Sequence, residues 1–135
     1  MVREAGYEVV WQKVLPDDQA MLEEVMKEIC DEGKADLLLT TGGTGFSPRD
    51  VMPEATLAVA ERMVPGIPEA MRAYSLQFTK RTMLSRAASG IRKRTLIVNL
   101  PGSPKAVQEC LEYILPQLDH GLKILLGLDG ECARK

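Results

Sequence analysis

From Thr40 to Asp50 the chain reads Thr-Thr-Gly-Gly-Thr-Gly-Phe-Ser-Pro-Arg-Asp. Gly42, Gly43 and Gly45 let a backbone turn tightly and bring its N–H groups close to an anion. Thr41 and Thr44 add hydroxyl donors, and the Arg49 guanidinium suits phosphate oxygens. Asp50 would repel phosphate unless a cation lies between them. Mg²⁺ fits that demand, because it takes one or two carboxylates and completes its shell with substrate phosphates and water. Asp17, in Leu15-Pro16-Asp17-Asp18, offers a second carboxylate. Plainer roles stay open on spacing alone: the glycines as a tight turn, Asp17 and Asp50 as helix caps, or Asp50 paired with Arg49. The loop is not a P-loop, having no Gly-Lys-Ser/Thr, and Pro48 breaks a GxGxxG pattern.

A second candidate loop is Asn99-Leu100-Pro101-Gly102-Ser103. It combines an amide, a glycine and a helix N-terminus, whose free N–H groups and dipole favour anions. A capped strand-to-helix turn explains it equally well. Ser75 and Ser85 flank a stretch with Lys80, Arg81 and Arg86 that reads as solvated surface. Arg92-Lys93-Arg94 reads as an exposed turn, and His120 as structural or superficial. The methionines read as core fillers.

The elements that would position these loops follow from hydrophobic period. Tyr7–Val14 mixes aromatic and β-branched residues with polar ones and predicts a strand. After Pro16, Asp17 and Asp18 are capping residues for a helix with Met21, Leu22, Val25, Met26, Ile29 and Cys30 on one face. Asp36–Thr41 is a short apolar run, expected as a strand covered on both sides. Helices are predicted over Pro53–Met63 and from Pro68 to about Thr79. Gly90–Asn99 reads as a tight turn feeding a buried strand. Ser103-Pro104 caps a last helix, which Pro116 should kink or divide. The order β-α-β-α-α-β-α implies a three-layer α/β/α sandwich with a mostly parallel sheet. In such sheets ligands bind beyond the carboxyl ends of the strands. All three loops are expected there, in one crevice.

Composition bounds the rest. The 135 residues suit one domain, 1–135, with a net charge of −2, 45% apolar and 27% charged residues. A broad basic footprint for nucleic acid is absent. There is no apolar run of about 18 residues to span a membrane, and the N-terminus has no signal-peptide shape. The three cysteines, Cys30, Cys110 and Cys132, form no CxxC pair, which excludes a zinc ribbon. Their sparse, odd count suggests reduced thiols and a cytoplasmic setting. The tail Asp129–Lys135 is expected to be polar and frayed.

Thr40–Thr56, with the run Arg49-Asp50-Val51-Met52-Pro53, resembles the signature of the MogA/MoaB family, which includes the gephyrin and plant Cnx1 G domains. Leu15-Pro16-Asp17, Met83-Leu84-Ser85-Arg86, Gly90-Ile91-Arg92 and Asn99–Pro104 continue the likeness, which covers roughly Tyr7 to Leu126. The resemblance implies a cytoplasmic homotrimer that adenylylates molybdopterin with Mg-ATP and releases pyrophosphate. It further implies hand-off to a molybdotransferase, with neither nucleic acid nor membrane as partner. By motif it implies Asp17 and Asp50 as catalytic, Mg²⁺-binding residues. It assigns ligand contacts to Thr41, Gly42, Gly43, Thr44, Gly45, Arg49, Ser75, Ser85, Asn99, Pro101, Gly102 and Ser103. The sequence departs from the pattern at Met52, where a threonine cap is expected. It departs also at its start, where a strand, a Ser-Asp loop and a helix are expected before Tyr7, so that the domain reads as N-terminally shortened. Three other functions fit the same residues. They are a non-catalytic molybdopterin-binding or trimeric scaffold domain, a molybdotransferase-type domain, and a relative of competence-damage nucleotide hydrolases.

Overall fold

The structure is a computed structural model, and it describes residues 1–128. The predicted tail and Cys132 lie outside the described residues. The elements run α1 (Gln19–Asp31), β1 (Leu37–Thr41), α2 (Met52–Val59), β2 (Arg62–Met63), α3 (Gly66–Ser75), β3 (Ser89–Arg92), β4 (Thr95–Leu100) and α4 (Pro104–Leu125), with a 3-10 turn at Lys80–Leu84.

The sheet order is β1-β4-β3-β2. β1 and β4 are parallel, whereas β4–β3 and β3–β2 are antiparallel. The expected helix–sheet–helix layering is present, and the sheet is mixed instead of mostly parallel. The reason is local. Residues Lys93 and Arg94 form a two-residue hairpin between Arg92 and Thr95, with Lys93 at φ 55°, and a hairpin this tight joins only antiparallel strands.

Alternation along β4 sets the layers. Leu96, Val98 and Leu100 face α3 and α4, packing with Met71, Cys110, Leu111, Ile114, Leu115, Leu118 and Leu122. Ile97 faces the other way, into a core of Leu22, Met26, Ile29, Cys30, Leu38, Ala55 and Val59 from α1, β1 and α2. Every residue of β4 is buried, as expected of a central strand between helical layers. Cys30 and Cys110 are buried free thiols, and burial pushes the pKa of both up.

Asn99 is a polar member of this strand, fully buried. Its side-chain amide donates to Thr40 Oγ1 at 3.0 Å and Thr56 Oγ1 at 2.9 Å, and its carbonyl accepts from the Ala88 N–H at 3.0 Å. One side chain thus joins β4 to β1, α2 and the entry to β3.

Several boundaries differ from the sequence reading. Tyr7–Val14 forms no strand. It has β-forming residues and no ladder partner, and propensity alone does not make a strand. α2 ends at Val59 because Ala60 turns extended (ψ 136°) and Arg62–Met63 pairs with β3 instead. α3 begins at Gly66 with Pro68 inside its first turn, where helix N–H groups lack partners anyway; it ends at Ser75, four residues before Thr79, which caps the 3-10 turn. α4 runs through Pro116 as one helix. Pro116 removes a single donor, while both halves bury the same apolar face.

Replacing Asn99 by leucine keeps the branched heavy-atom skeleton and strands the Thr56 hydroxyl and the Ala88 N–H in the interior. Urea unfolding should show Asn99→Leu less stable by about 2–4 kcal/mol, since each buried orphan costs about 1–3 kcal/mol. An unchanged midpoint would remove Asn99 as the brace between the layers.

Candidate functional site

β1 and β4 run side by side, so their carboxyl ends, Thr41 and Leu100, open on the same edge of the sheet. The loops that follow touch. The Gly42 N–H donates to Leu100 C=O at 3.1 Å. A Cβ on Gly102 would lie 3.5 Å from the Gly42 Cα, so the two backbones meet glycine to glycine. The first loop joins them: Asp17 Oδ1 lies 4.0 Å from where a Cβ on Gly43 would stand. The expected convergence of the three loops is therefore what the fold produces.

Both carboxylates border the glycine turn. Asp18 caps α1, its Oδ1 accepting the Met21 N–H at 3.1 Å, which leaves Asp17 without a capping role. Asp50 does not cap α2 either. Val51 holds that position without a side-chain hydrogen bond. Asp50 Oδ2 accepts the Ser47 N–H at 3.0 Å and lies 2.9 Å from where a Cβ on Gly45 would stand. Any side chain at residue 45 would displace the carboxylate. No ion pair joins Asp50 to Arg49 among the described residues.

The turn itself is set by two glycines. Gly42 and Gly43 take φ of 83° and 73°, values that L side chains adopt only with strain. The chain closes behind them through the Met52 N–H to Gly43 C=O, 3.1 Å. This bond anchors the start of α2 where a hydroxyl cap was expected. Among the described residues, the N–H groups of residues 43–46 have no intramolecular acceptor. Successive free amides in a turn make an anion-binding concavity.

What holds this loop is Arg86, read from sequence as solvated surface. Its backbone N–H donates to Thr44 C=O at 2.8 Å. Its side chain donates to Gly45 C=O at 2.7 Å, to Asp50 C=O at 2.8 Å and to Glu54 Oε2 at 2.5 Å. The rigid guanidinium fork reaches both arms of the loop and the first turn of α2 at once. Its hydrogen bond holds the Glu54 carboxyl below its usual range, and Glu54 holds the Arg86 pKa up. The sequence carried one signal for this residue, its place in Met83-Leu84-Ser85-Arg86, one of the runs that carry the family resemblance.

The other candidates divide. Thr41 and Gly102 line a cleft of about 680 Å³ at the start of α4. Pro101 is half-buried beside it and Arg49 is exposed. Thr44 is buried. Ser103 caps α4 by accepting the Ala106 N–H at 3.4 Å. Ser85 is half-buried, and its hydroxyl accepts the Ala87 N–H at 3.3 Å. Two side chains are engaged inside the fold. The Ser75 hydroxyl is buried against Cys110 Sγ at 3.7 Å, in the packing of α3 on α4. The Asn99 amide is consumed by its three internal bonds.

A glycine turn, flanked by two carboxylates, lies at the carboxyl edge of an α/β sheet. Residues 1–120 match the family model described as "Probable molybdopterin binding domain", and the chain belongs to that family. A molybdopterin adenylyltransferase of Haemophilus influenzae is 53% identical over 102 residues, 76% of this chain and 52% of that protein. One of Helicobacter pylori is 42% identical over 117 residues, 87% of this chain and 66% of that protein. The chain thus spans about half to two thirds of the length of these curated relatives. The crystal structure of the molybdopterin biosynthesis enzyme MoaB from Thermus thermophilus superposes with a TM-score of 0.85 at 45% identity, covering 93% of this chain and 82% of that one. No helix among the described residues is long and apolar enough to cross a membrane.

Arg86→Ala should lower the melting temperature and expose residues 42–50 to proteolytic nicking. Arg86→Lys should recover only part of the loss, because one ammonium cannot span three acceptors. The Glu54 share has a defined pH sense. Its folded pKa lies below the unfolded value of 4.5, so its stabilisation is present above 4.5 and lost as pH falls through the folded value. The difference between wild type and Arg86→Ala should shrink in that window. A difference that grows on acidification would contradict the pairing.

Proposed function

We propose that the chain binds molybdopterin and, with Mg-ATP, adenylylates it, releasing pyrophosphate in molybdenum cofactor biosynthesis. The observation that carries this reading is the meeting of Asp17, Asp50 and the free amides of residues 43–46 around one turn. The adenylyltransferase names of the relatives support the same reaction.

The reaction joins two anions, the terminal phosphate of the pterin and the α-phosphate of ATP. Holding them in line and offsetting their charge is most of the work in transfers of this type. The amides of residues 43–46 and the α4 N-terminus at Gly102-Ser103 grip phosphate oxygens, and Arg49 supplies an exposed cation. Asp17 and Asp50 are the residues that would hold Mg²⁺. Two carboxylates fit its preference for a partial protein shell. When bound, the ion offsets charge on the phosphates and on departing pyrophosphate. Gly45 keeps space for the Asp50 carboxylate, and Arg86 fixes the backbone on both sides of it.

We further propose a homotrimer in the cytoplasm that passes its product to a molybdotransferase. Exposed Leu76, Phe78, Met83 and Tyr113 support self-association, with Tyr74 stacked on Tyr113 at 4.2 Å and edge-on to Phe78 at 5.6 Å.

ATP-dependent pyrophosphate release with molybdopterin tests the reaction. Asp50→Asn should cut turnover by about a hundredfold or more while molybdopterin affinity changes little. Molybdopterin binding by the wild type without any pyrophosphate release would favour the scaffold reading, and equal loss of turnover and binding in Asp50→Asn would contradict the metal-holding role.

A further inference from the structure

Arg86 holds the glycine loop from a stretch of chain, residues 85–88, that is itself neither helix nor strand. A clamp passes on only as much rigidity as its own backbone has. That backbone is gripped from α3. Arg72 Nη1 donates to Ser85 C=O at 3.3 Å and to Ala87 C=O at 3.2 Å, the carbonyls on either side of Arg86. One residue further on, Asn99 Oδ1 accepts the Ala88 N–H at 3.0 Å.

The packing of α3 puts Arg72 there. Pro68, Met71 and Ser75 form the buried face of the helix, with Met71 in the core beside α4. Arg72 follows Met71 by about 100° around the helix and is half-buried at the flank of that face. A basic residue in the last turn of a helix favours the dipole from the solvated surface just as well, and that role needs no inward reach. Among the described residues Arg72 makes no ion pair. A half-buried guanidinium without a carboxylate has lost part of its hydration, and the two charge-assisted bonds to carbonyls offset that loss.

We infer that Arg72 is a positioning residue for the ligand loop. It acts through Arg86. Arg72 fixes Ser85 and Ala87, these fix the backbone of Arg86, and Arg86 holds Thr44, Gly45, Asp50 and Glu54. Two guanidiniums thus stand in series between α3 and the glycine turn. The two differ in how they can be replaced. Both Arg72 bonds leave one nitrogen, whereas Arg86 uses Nε, Nη1 and Nη2. An ammonium can therefore take over part of the Arg72 role. The inference rests on the reading of the glycine turn as the ligand site, and the relay itself is measured without a ligand.

Amide hydrogen exchange on the full chain tests it. The N–H groups of Asp50, Met52 and Arg86 donate to the Ser47, Gly43 and Thr44 carbonyls, so they report on the loop. Arg72→Met keeps an unbranched stem and removes the donors. It should speed exchange at these amides by roughly five- to tenfold and leave the amides in the last turn of α3 unchanged. Arg72→Lys should recover part of the protection. In an Arg86→Ala background, Arg72→Met should add less than about twofold, because the link it acts through is already gone. Pyrophosphate release should fall in Arg72→Met and return in part in Arg72→Lys. A wild type that releases none would contradict the adenylylation reading, and the exchange result would still decide the relay. The inference is overturned if loop exchange is unchanged in Arg72→Met, or if the two substitutions multiply in full. It is also overturned if α3 and the loop speed up equally, as they would in a chain that no longer folds.

Discussion

The guanidinium of Arg86 ties Gly45, Asp50 and Glu54 into one rigid piece, and the backbone of the same residue holds Thr44. Glycines 42 and 43 turn the chain, but a turn with positive φ at two residues is not rigid by itself. The amides of residues 43–46 have no acceptor among the described residues, and the Asp50 carboxylate stands beside Gly45. Everything proposed for the site requires that the loop be fixed before a ligand arrives, since ordering it on binding would draw on the affinity. The pairing of β1 with β4 and the Asn99 brace beneath supply the foundation, because they bring Thr41 and Leu100 out at one edge.

Legibility in the sequence followed the range of the interactions. α1, β1, β4 and α4 show in hydrophobic period and capping residues, which are local. The convergence of Asp17, the glycine turn and Pro101-Gly102 followed from a general rule about α/β sheets. Arg86 was missed because its partners lie 32 to 41 residues away, and nothing in a basic polar stretch marks a clamp. Tyr7–Val14 failed for the converse reason: its strand propensity is real, but a strand needs an adjacent edge. Asn99 and Ser75 were assigned to the ligand by motif, whereas their surroundings bury them and engage their polar atoms.

The central claim is that a divalent ion with its phosphate ligand sits among Asp17, Asp50 and the amides of residues 43–46. Manganese substituted for magnesium in the presence of ATP tests it most directly, through paramagnetic broadening of backbone amide resonances. The account predicts broadening centred on Asp17, residues 43–46 and Gly102, and its loss in Asp50→Asn. Broadening centred elsewhere while ATP remains bound would contradict it.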